Sequence, residues 1–285
     1  MKKDNKSQTE VSEKVTEVLE ATDNYAKKKI VKVVLIGLCF ILLFVAAFSG
    51  YKIISTLSAY KQAEQTYDNL SSQVVTVVPS PTPVPEQEKK PDADSEVSPL
   101  QVDFAALRAQ STDYVAYIYS PDTKINYPVA YTDNNFYYID HIPGDIENAN
   151  GTIFIDCRNA SDLSDKNTCI YGHNMNDGSM FANLRNYREA DYYPEHPVIY
   201  LSTPEFNYRL DLIAGCIVEP TSYAYAREFD SDEQFMAHVD MLKENSTFQS
   251  DVEVSPEDRI VTLSTCTYEI DDGRYVVVGK LTKIH

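Results

Sequence analysis

The chain has 285 residues and a formal net charge of −18 at pH 7, with 43 acidic against 25 basic side chains. This charge argues against a nucleic-acid-binding protein, because such proteins present a basic face. The five cysteines include no C-x-x-C pair, so neither a zinc site nor a thioredoxin-type redox pair is indicated. The length leaves room for one sizeable domain and additional segments.

A polar N-terminal segment, residues 1–29, precedes an apolar stretch over 30–54, within which 33–48 carries no charged residue. A helix of this length crosses ~30 Å of hydrocarbon at ~1.5 Å per residue. Lysines are more frequent before the stretch than after it, which predicts a cytoplasmic N-terminus and an exported remainder. A cleaved signal peptide is the alternative. Because the apolar run begins late and is long for a signal, we expect an uncleaved, single-pass membrane anchor.

The segment 55–99 is expected to be a juxtamembrane helix followed by a Pro-rich linker. Apolar side chains recur every three or four positions between residues 52 and 75, which predicts a helix whose stripe serves either self-association or packing on its own chain. Six prolines between Pro79 and Pro99, among Ser, Thr, Glu and Lys, predict an extended, semi-rigid spacer. Such a spacer would hold a domain away from the membrane.

The remaining chain, 100–285, is the right length for one domain and is predicted to contain many short strands and few helices. The predicted strands are apolar or alternating and separated by turn residues; they cover 114–120, 127–131, 152–156, 168–172, 197–202, 206–218, 260–265 and 275–283. Helices are predicted at 103–109, 180–187 and 232–242. This pattern is typical of a mainly β fold, a barrel or a sandwich with peripheral helices.

The first chemical feature is a predicted hairpin near the C-terminus. Four strand-favouring residues lead towards Cys266, the turn sequence 269–273 follows, and the next strand begins beside Arg274. Because a short loop places the end of one strand beside the start of the next, we expect Cys266 and Arg274 to face each other. A thiol beside a guanidinium is biased towards the thiolate, its nucleophilic form. The other cysteines lie in apolar or strand-like segments, where a small buried side chain is the simplest interpretation.

The second chemical feature is the stretch 169–181, C-I-Y-G-H-N-M-N-D-G-S-M-F. A predicted strand ends at His173, and a polar turn then leads into a predicted helix. A histidine at the end of a strand beside a loop-lined cleft suits acid–base chemistry, because its side chain titrates near neutrality. A structural role is the alternative for any single histidine. The catalytic interpretation depends on the pairing of His173 with the Cys266–Arg274 hairpin.

These motifs resemble the sortase family. Residues 262–266, T-L-S-T-C, match the family's T-L-x-T-C signature, Arg274 matches its essential arginine, and 171–173, Y-G-H, match its histidine strand. The longer stretch 171–184 looks like class B in particular, as do I-N-Y-P-V at 125–129, the stretch 133–138 and the predicted helix 232–242. The resemblance covers about residues 100–285. Three separated motifs in the right order make it specific.

The resemblance implies a closed, eight-stranded sortase-type β-barrel with the catalytic residues His173, Cys266 and Arg274. It implies a cysteine transpeptidase that cleaves a C-terminal sorting signal, N-P-x-T-N-like in class B, after its threonine through a thioacyl intermediate. The new carboxyl end is then joined to the amine of a peptidoglycan precursor, or alternatively to a pilin lysine. The partners are therefore surface proteins that carry a sorting signal. No cofactor or metal is implied.

Three further residues are candidates for substrate binding. By strand alternation Ser264 lies on the same face as Cys266, and Tyr171 flanks His173 in sequence. Ordinary barrel packing is an equally good interpretation for both side chains. Asn134 resembles a cleft asparagine of class B. Thr267 stands where some class B members carry an acidic residue, which leaves the register of the substrate open.

Other protein classes fit the sequence less well. A cysteine peptidase would use the same thiolate and imidazole with water as acceptor, but in papain-like enzymes the cysteine precedes the histidine. An L,D-transpeptidase resembles S-x-G-C, and residues 264–267 lack that glycine. A non-catalytic, anchored β-domain explains the anchor and the linker but not the three motifs. We therefore expect a membrane-anchored sortase whose catalytic domain lies outside the cell.

Overall fold

The structure is a computed structural model that describes residues 4–77, 97–189, 191–267, 269 and 271–285. Short 3₁₀ helices lie at Tyr137–Ile139, Ala182–Arg188 and Tyr223–Tyr225. The other helices and the strands are, in chain order, α1 (Asp4–Val74), β1 (Val75–Val77), β2 (Leu100–Val102), α2 (Phe104–Gln110), β3 (Tyr114–Tyr119), β4 (Asn126–Ala130), β5 (His141–Ile142), β6 (Ile146–Glu147), β7 (Ile153–Ile155), β8 (Asn167–Tyr171), α3 (Tyr192–Glu195), β9 (Val198–Ser202), β10 (Asn207–Val218), α4 (Asp232–Glu244), β11 (Arg259–Cys266) and β12 (Arg274–Ile284).

Eight of these strands close into a barrel in the order β10-β12-β11-β8-β7-β4-β3-β9. Neighbouring strands are antiparallel, except that β8 runs parallel to β11 and β4 runs parallel to β7. The barrel interior is filled by buried side chains such as Ile118, Val129, Ile170, Leu263 and Val277. Each fully buried aliphatic side chain contributes about 1.5–3 kcal/mol. The predicted closed eight-stranded barrel is confirmed, and all eight predicted strands are present.

Helix α4 covers the outer face of the barrel at β10 and β12. Its N-terminus is capped by the hydroxyl of Ser231, which satisfies a backbone N–H that would otherwise lack a partner. Phe235, Val239 and Leu242, spaced as one helical face, are buried and belong to a cluster with apolar residues of β10 and β12. The helix predicted over 232–242 is therefore present, over Asp232–Glu244.

Helix α1 is continuous from Asp4 to Val74. Its stretch Thr16–Val74 is, within the described part of the chain, the one helix long and apolar enough to cross a membrane. The polar segment predicted over 1–29 is thus helical from residue 4 onwards. Most of the predicted Pro-rich linker, residues 78–96, lies outside the described residues.

The chain divides into two compact units, Met1–Ser58 and Ala59–His285. Within the second unit, the last turns of α1 pack on the barrel domain through Ala63, Tyr67, Leu70 and Val74, which are all 5% exposed or less. The apolar stripe predicted between 52 and 75 therefore packs, in this part, on its own chain. The folded unit consequently includes residues that the sequence assigned to the juxtamembrane segment.

Several elements differ from the sequence-based expectations. The helix expected over 180–187 is a 3₁₀ helix, Ala182–Arg188, which begins just after a backbone reversal at Met180, where φ is +55°. Two small antiparallel pairs, β1 with β2 and β5 with β6, were not predicted. Strands of two or three residues are too short to leave an alternating pattern.

Candidate active site

Cys266 and Arg274 are direct partners in the antiparallel ladder between β11 and β12. Cys266 ends β11, Arg274 begins β12, and the backbone N–H of Thr267 donates to the carbonyl of Gly273 at 3.0 Å. Residues opposite each other in such a ladder have Cα atoms about 4.5–5.5 Å apart. The thiol and the guanidinium are therefore neighbours at the mouth of the hairpin, as the two strands and their turn predicted.

His173 approaches the same end of the sheet from the other side of Cys266. Strand β8 runs parallel to β11, with Tyr171 opposite Ser264. His173 and Cys266 each lie two residues beyond that pair, so they leave neighbouring strands that are about 4.8 Å apart. The side-chain amide of Asn174 donates to the carbonyl of Cys266 at 2.9 Å, which fixes the loop after β8 against the end of β11.

The imidazole of His173 is oriented by a backbone carbonyl. Its Nε2 lies 2.7 Å from the carbonyl oxygen of Ile139. Because a carbonyl oxygen only accepts hydrogen bonds, Nε2 carries the hydrogen in this contact. Nδ1 is then the ring nitrogen that can exchange a proton with a bound substrate.

Gly172, between Tyr171 and His173, leaves room for a buried aromatic ring. A Cβ at this position would lie 2.7 Å from two ring carbons of Phe181, and Phe181 is fully buried. The backbone N–H of Phe181 also donates to the carbonyl of His173 at 2.9 Å. The glycine and the phenylalanine of the 169–181 motif therefore form one packing unit that supports the histidine.

The guanidinium of Arg274 is held by the hairpin loop. Its Nη1 donates to the backbone carbonyl and carboxylate of Asp272, at 2.8 and 3.0 Å, and to the carbonyl of Gly273 at 3.0 Å. Partial burial alone would lower the pKa of Arg274, but the hydrogen bond with Asp272 and the nearby Cys266 raise it, and the net direction is upwards. The group is permanently charged, and these contacts leave Nε–H and Nη2–H₂ for a ligand.

An open cleft of about 420 Å³ lies directly against the thiol. Three carboxylates, those of Glu269, Asp271 and Asp272, line it together with Thr267, Gly273, Arg274 and Cys266. Glu269 forms an ion pair with Arg188, which ties the hairpin loop to the 3₁₀ helix Ala182–Arg188. The remaining negative charge favours a cationic ligand over an anionic one in this part of the cleft.

The hydroxyls of Ser264 and Tyr171 already have partners within the protein. Ser264 is 2% exposed, and its Oγ lies 2.8 Å from the hydroxyl of Tyr225. Tyr171 donates to a carboxylate oxygen of Asp156 at 2.9 Å, and its ring packs near those of Phe154 and Tyr225. These contacts support barrel packing for both hydroxyls, and the substrate contacts expected of Ser264 and Tyr171 stay predictions.

Asp156 is a buried charge beside the histidine strand that the sequence analysis did not single out. It is fully buried and accepts hydrogen bonds from Nε and Nη2 of Arg158 and from Tyr171. Burial would raise the pKa of Asp156, but these hydrogen bonds outweigh it and hold the pKa below its ordinary value. A signal was present in the sequence, since an aspartate directly follows the apolar residues 153–155 and an arginine stands two positions later.

Asn134 lies in the loop that leads to the 3₁₀ helix Tyr137–Ile139. Its side-chain oxygen accepts hydrogen bonds from the backbone N–H groups of Phe136 and Tyr137, at 2.9 and 3.1 Å. This is a turn-capping arrangement typical of asparagine. The hydrogen bonds of Asn134 within the described residues are all local to this loop, so its contact with substrate stays a prediction.

Known proteins resemble this chain in sequence. A family model described as the sortase domain matches residues 118–282. A sortase B from Listeria monocytogenes is 39% identical over 177 residues, which cover 61% of this chain and 72% of that protein. A sortase B from Staphylococcus aureus is 28% identical over 246 residues, covering 86% of this chain and 95% of that protein.

A solved structure also resembles this barrel. The Staphylococcus aureus sortase B–substrate complex has a TM-score of 0.61 at 31% identity, and the match covers 64% of this chain and 85% of that chain. Sequence and fold therefore point to the same family.

Proposed function

Since the chain belongs to the sortase family, and within it to the class B sortases, which are cysteine transpeptidases, we propose that it acts on exported proteins. It cleaves an N-P-x-T-N-like C-terminal sorting signal after the threonine and joins the new carboxyl end to a peptidoglycan-precursor amine. One observation carries the proposal. Cys266 is the ladder partner of Arg274, and its strand is the parallel neighbour of the strand that leads to His173.

In the first step, Cys266 attacks the substrate as a thiolate. Its sulfur adds to the carbonyl carbon of the threonine, and the carbonyl oxygen becomes a tetrahedral oxyanion. Arg274 supplies a fixed positive charge that stabilises both the thiolate and the oxyanion. Because Nη1 is engaged by Asp272 and Gly273, the remaining N–H groups of the guanidinium are the proposed oxyanion donors.

His173 moves the protons in both halves of the reaction. As an imidazolium it gives a proton from Nδ1 to the leaving amine when the C–N bond breaks, and the thioacyl intermediate remains on Cys266. The neutral imidazole then accepts a proton at Nδ1 from the incoming amine, which attacks the thioacyl carbonyl and releases the thiolate. Throughout the cycle Nε2–H stays bound to the carbonyl of Ile139, so the ring does not need to turn.

The cleft supports an amine acceptor in preference to an anionic one. Glu269, Asp271 and Asp272 line it. Glu269 is paired with Arg188 and Asp272 with Arg274, so the charge of Asp271 is the one left to attract a protonated amine towards the thioester. The amine gives one proton to the solvent before it attacks. A pilin lysine and a peptidoglycan precursor both provide such a group. The acceptor panel in the experiment below distinguishes between the two amines.

We place residues 30–54 of α1 in the membrane, with the preceding residues in the cytoplasm and the barrel outside the cell. Four lysines within 27–32 stand before the charge-free run 33–48, and only Lys52 stands close after it, which favours this orientation. Side chains in the stretch are exposed, for example Leu42 at 67% and Phe44 at 71%. Exposed apolar side chains of this density require a partner such as lipid.

The test uses the full chain in detergent micelles with quenched peptides that vary around an N-P-x-T-N core. Each peptide is offered with and without three acceptors: triglycine, a diaminopimelate-containing stem peptide, and a lysine peptide. We expect an amide conjugate with the stem peptide or triglycine. Equal peptide release with and without acceptor would instead indicate a peptidase, and a conjugate formed with the lysine peptide alone would favour pilin polymerisation.

The nucleophile is tested by Cys266→Ala, for which we expect turnover below detection. The matched control is Cys157→Ala, since both cysteines are partly exposed and Cys157 lies away from the β11–β12 hairpin. Comparable turnover in wild type and Cys266→Ala would remove the proposed nucleophile. Failure of every peptide to react in the wild type would remove the proposed function.

A further inference from the structure

The backbone carbonyl that orients His173 must itself be fixed in position by other contacts. It belongs to Ile139, the last residue of the 3₁₀ helix Tyr137–Ile139, and accepts from His173 Nε2 at 2.7 Å. Ile139 is 40% exposed, so its side chain does little to fix the backbone. The position of the imidazole therefore depends on what holds the peptide groups on either side of Ile139.

Thr152 binds backbone carbonyls before and after Ile139, those of Tyr138 and His141, and Gly151 lies against the carbonyl of Ile139 itself. The backbone N–H of Thr152 donates to the carbonyl of Tyr138 at 2.8 Å, and its hydroxyl donates to the carbonyl of His141 at 2.7 Å. Gly151 has a φ of +57°, and a Cβ there would lie 2.5 Å from the carbonyl oxygen of Ile139. The two residues thus lie directly against the backbone that orients His173.

Gly151 and Thr152 are in turn held by the last turns of α1. The hydroxyl of Tyr67 donates to the carbonyl of Gly151 at 2.6 Å and lies 3.0 Å from the hydroxyl oxygen of Thr152. Tyr67 is 5% exposed, and its ring meets that of Tyr127 edge-on at 5.1 Å. Burial raises the pKa of Tyr67 well above its usual value, so the hydroxyl remains a donor over the whole working range of pH.

We propose that Tyr67 is a positioning residue for His173, acting through Gly151, Thr152 and the carbonyl of Ile139. A second hydrogen bond also connects α1 to the loop before Gly151: the side-chain amide of Asn148 donates to the carbonyl of Ala59 at 3.0 Å. The proposal rests on the proposed role of His173 as the general acid and base. It makes the end of α1 a part of the catalytic apparatus, although none of its atoms touches the substrate.

The main variant is Tyr67→Phe in the full chain in detergent micelles, which removes the hydroxyl and keeps the ring on Tyr127. With a quenched N-P-x-T-N peptide and triglycine, we expect kcat to fall about tenfold, the order of loss that follows when a catalytic group is misplaced by a fraction of an ångström. The KM for the peptide should not change, because Tyr67 lies away from the cleft.

A second readout follows the imidazole directly. In protein labelled with ¹⁵N at histidine, the wild-type ring of His173 should be in the Nε2–H tautomer, as the Ile139 carbonyl requires. His173→Gln identifies its signals. In Tyr67→Phe the signals should move towards a mixture of the two tautomers, and this change is measurable whether or not any peptide is turned over.

The matched control is Tyr187→Phe. Tyr187 is also a buried tyrosine, 1% exposed, whose hydroxyl donates to a backbone carbonyl, that of His196, at 2.8 Å. Its loss should lower the unfolding midpoint by as much as the loss of the Tyr67 hydroxyl, while the His173 tautomer stays as in the wild type. Thr152→Val gives an independent arm if Tyr67→Phe does not fold, and Thr152→Ser should restore most of the activity.

Two results would overturn the inference. One is a Tyr67→Phe protein with wild-type kcat and tautomer signals. The other is a loss of kcat and a tautomer change that Tyr187→Phe reproduces in full, since the effect would then be general destabilisation. A wild type that turns over no peptide but shows the tautomer change in Tyr67→Phe would refute the proposed function and leave the positioning role supported.

Discussion

Gly172→Ala tests whether the packing of the 169–181 motif supports the histidine. An added Cβ would lie 2.7 Å from the Cγ and Cδ2 atoms of Phe181 and 3.2 Å from Cγ1 of Ile153. Carbon atoms prefer separations of about 3.5–4.0 Å, so the ring or the strand has to move by roughly 0.8 Å. Such overpacking costs about 1–3 kcal/mol.

The displacement reaches the site because the backbone N–H of Phe181 donates to the carbonyl of His173. We therefore expect Gly172→Ala to lower both the unfolding midpoint and the rate of transpeptidation. A loss of 1–3 kcal/mol corresponds to a drop of roughly 2–12 °C in the midpoint for a domain of this size. Calorimetry on the full chain measures the first quantity, and conjugate formation with triglycine measures the second.

A double-mutant cycle identifies the ring as the cause. In a Phe181→Leu background the Cβ of residue 172 meets a smaller side chain, so the added cost of Gly172→Ala should fall by at least half. The control is Gly50→Ala in helix α1, where an added Cβ would meet no atom within 4 Å. A cost for Gly172→Ala that is equal in both backgrounds, or that is absent altogether, would refute the packing argument.

Two further predictions concern single charged groups. Arg274→Ala should lower kcat/KM by about 10²–10³-fold, the usual loss for an oxyanion donor, whereas Arg259→Ala, whose Nη1 donates to the carbonyl of Leu163, should stay within a few-fold. Equal, mild losses in the two variants would count against the oxyanion role. His238 of α4 is 4% exposed, and burial lowers its pKa from 6.5 to about 4, so the unfolded chain takes up this proton first. The contribution of His238 to the stability of the wild type should therefore decline as the pH falls from about 6.5 towards 4 and stay level below. Unfolding midpoints of His238→Leu should lack this part of the decline, and parallel curves for the two proteins would show that another group is responsible.

The strands of the barrel could be predicted because the composition of each segment indicates a strand. Segments such as 260–265 and 275–283 are rich in β-branched and aromatic residues and bounded by turn residues. The closeness of Cys266 and Arg274 followed from one short loop. The order of the strands around the barrel was not predicted, since it depends on contacts between distant segments. The closure of eight strands into a barrel was expected from the family resemblance.

The sequence could not predict that a backbone carbonyl orients His173. The carbonyl of Ile139 is common to all residue types, so nothing at that position marks it. Asn134 was expected in the cleft from its resemblance alone, while the structure gives its side chain a local capping role. The stripe through Ala63, Tyr67, Leu70 and Val74 was recognised as apolar, but periodicity does not tell which surface an apolar face will meet.

The parallel pairing of β8 with β11 has a consequence for how the protein matures. The two segments are separated by about 90 residues of chain, and pairings of such long sequence separation form late in folding because the loop entropy must be overcome first. In a half-folded chain the sulfur of Cys266 and the imidazole of His173 are therefore far apart. The two side chains come together only when β8 and β11 pair. The protein therefore becomes chemically competent in the same step that completes its barrel.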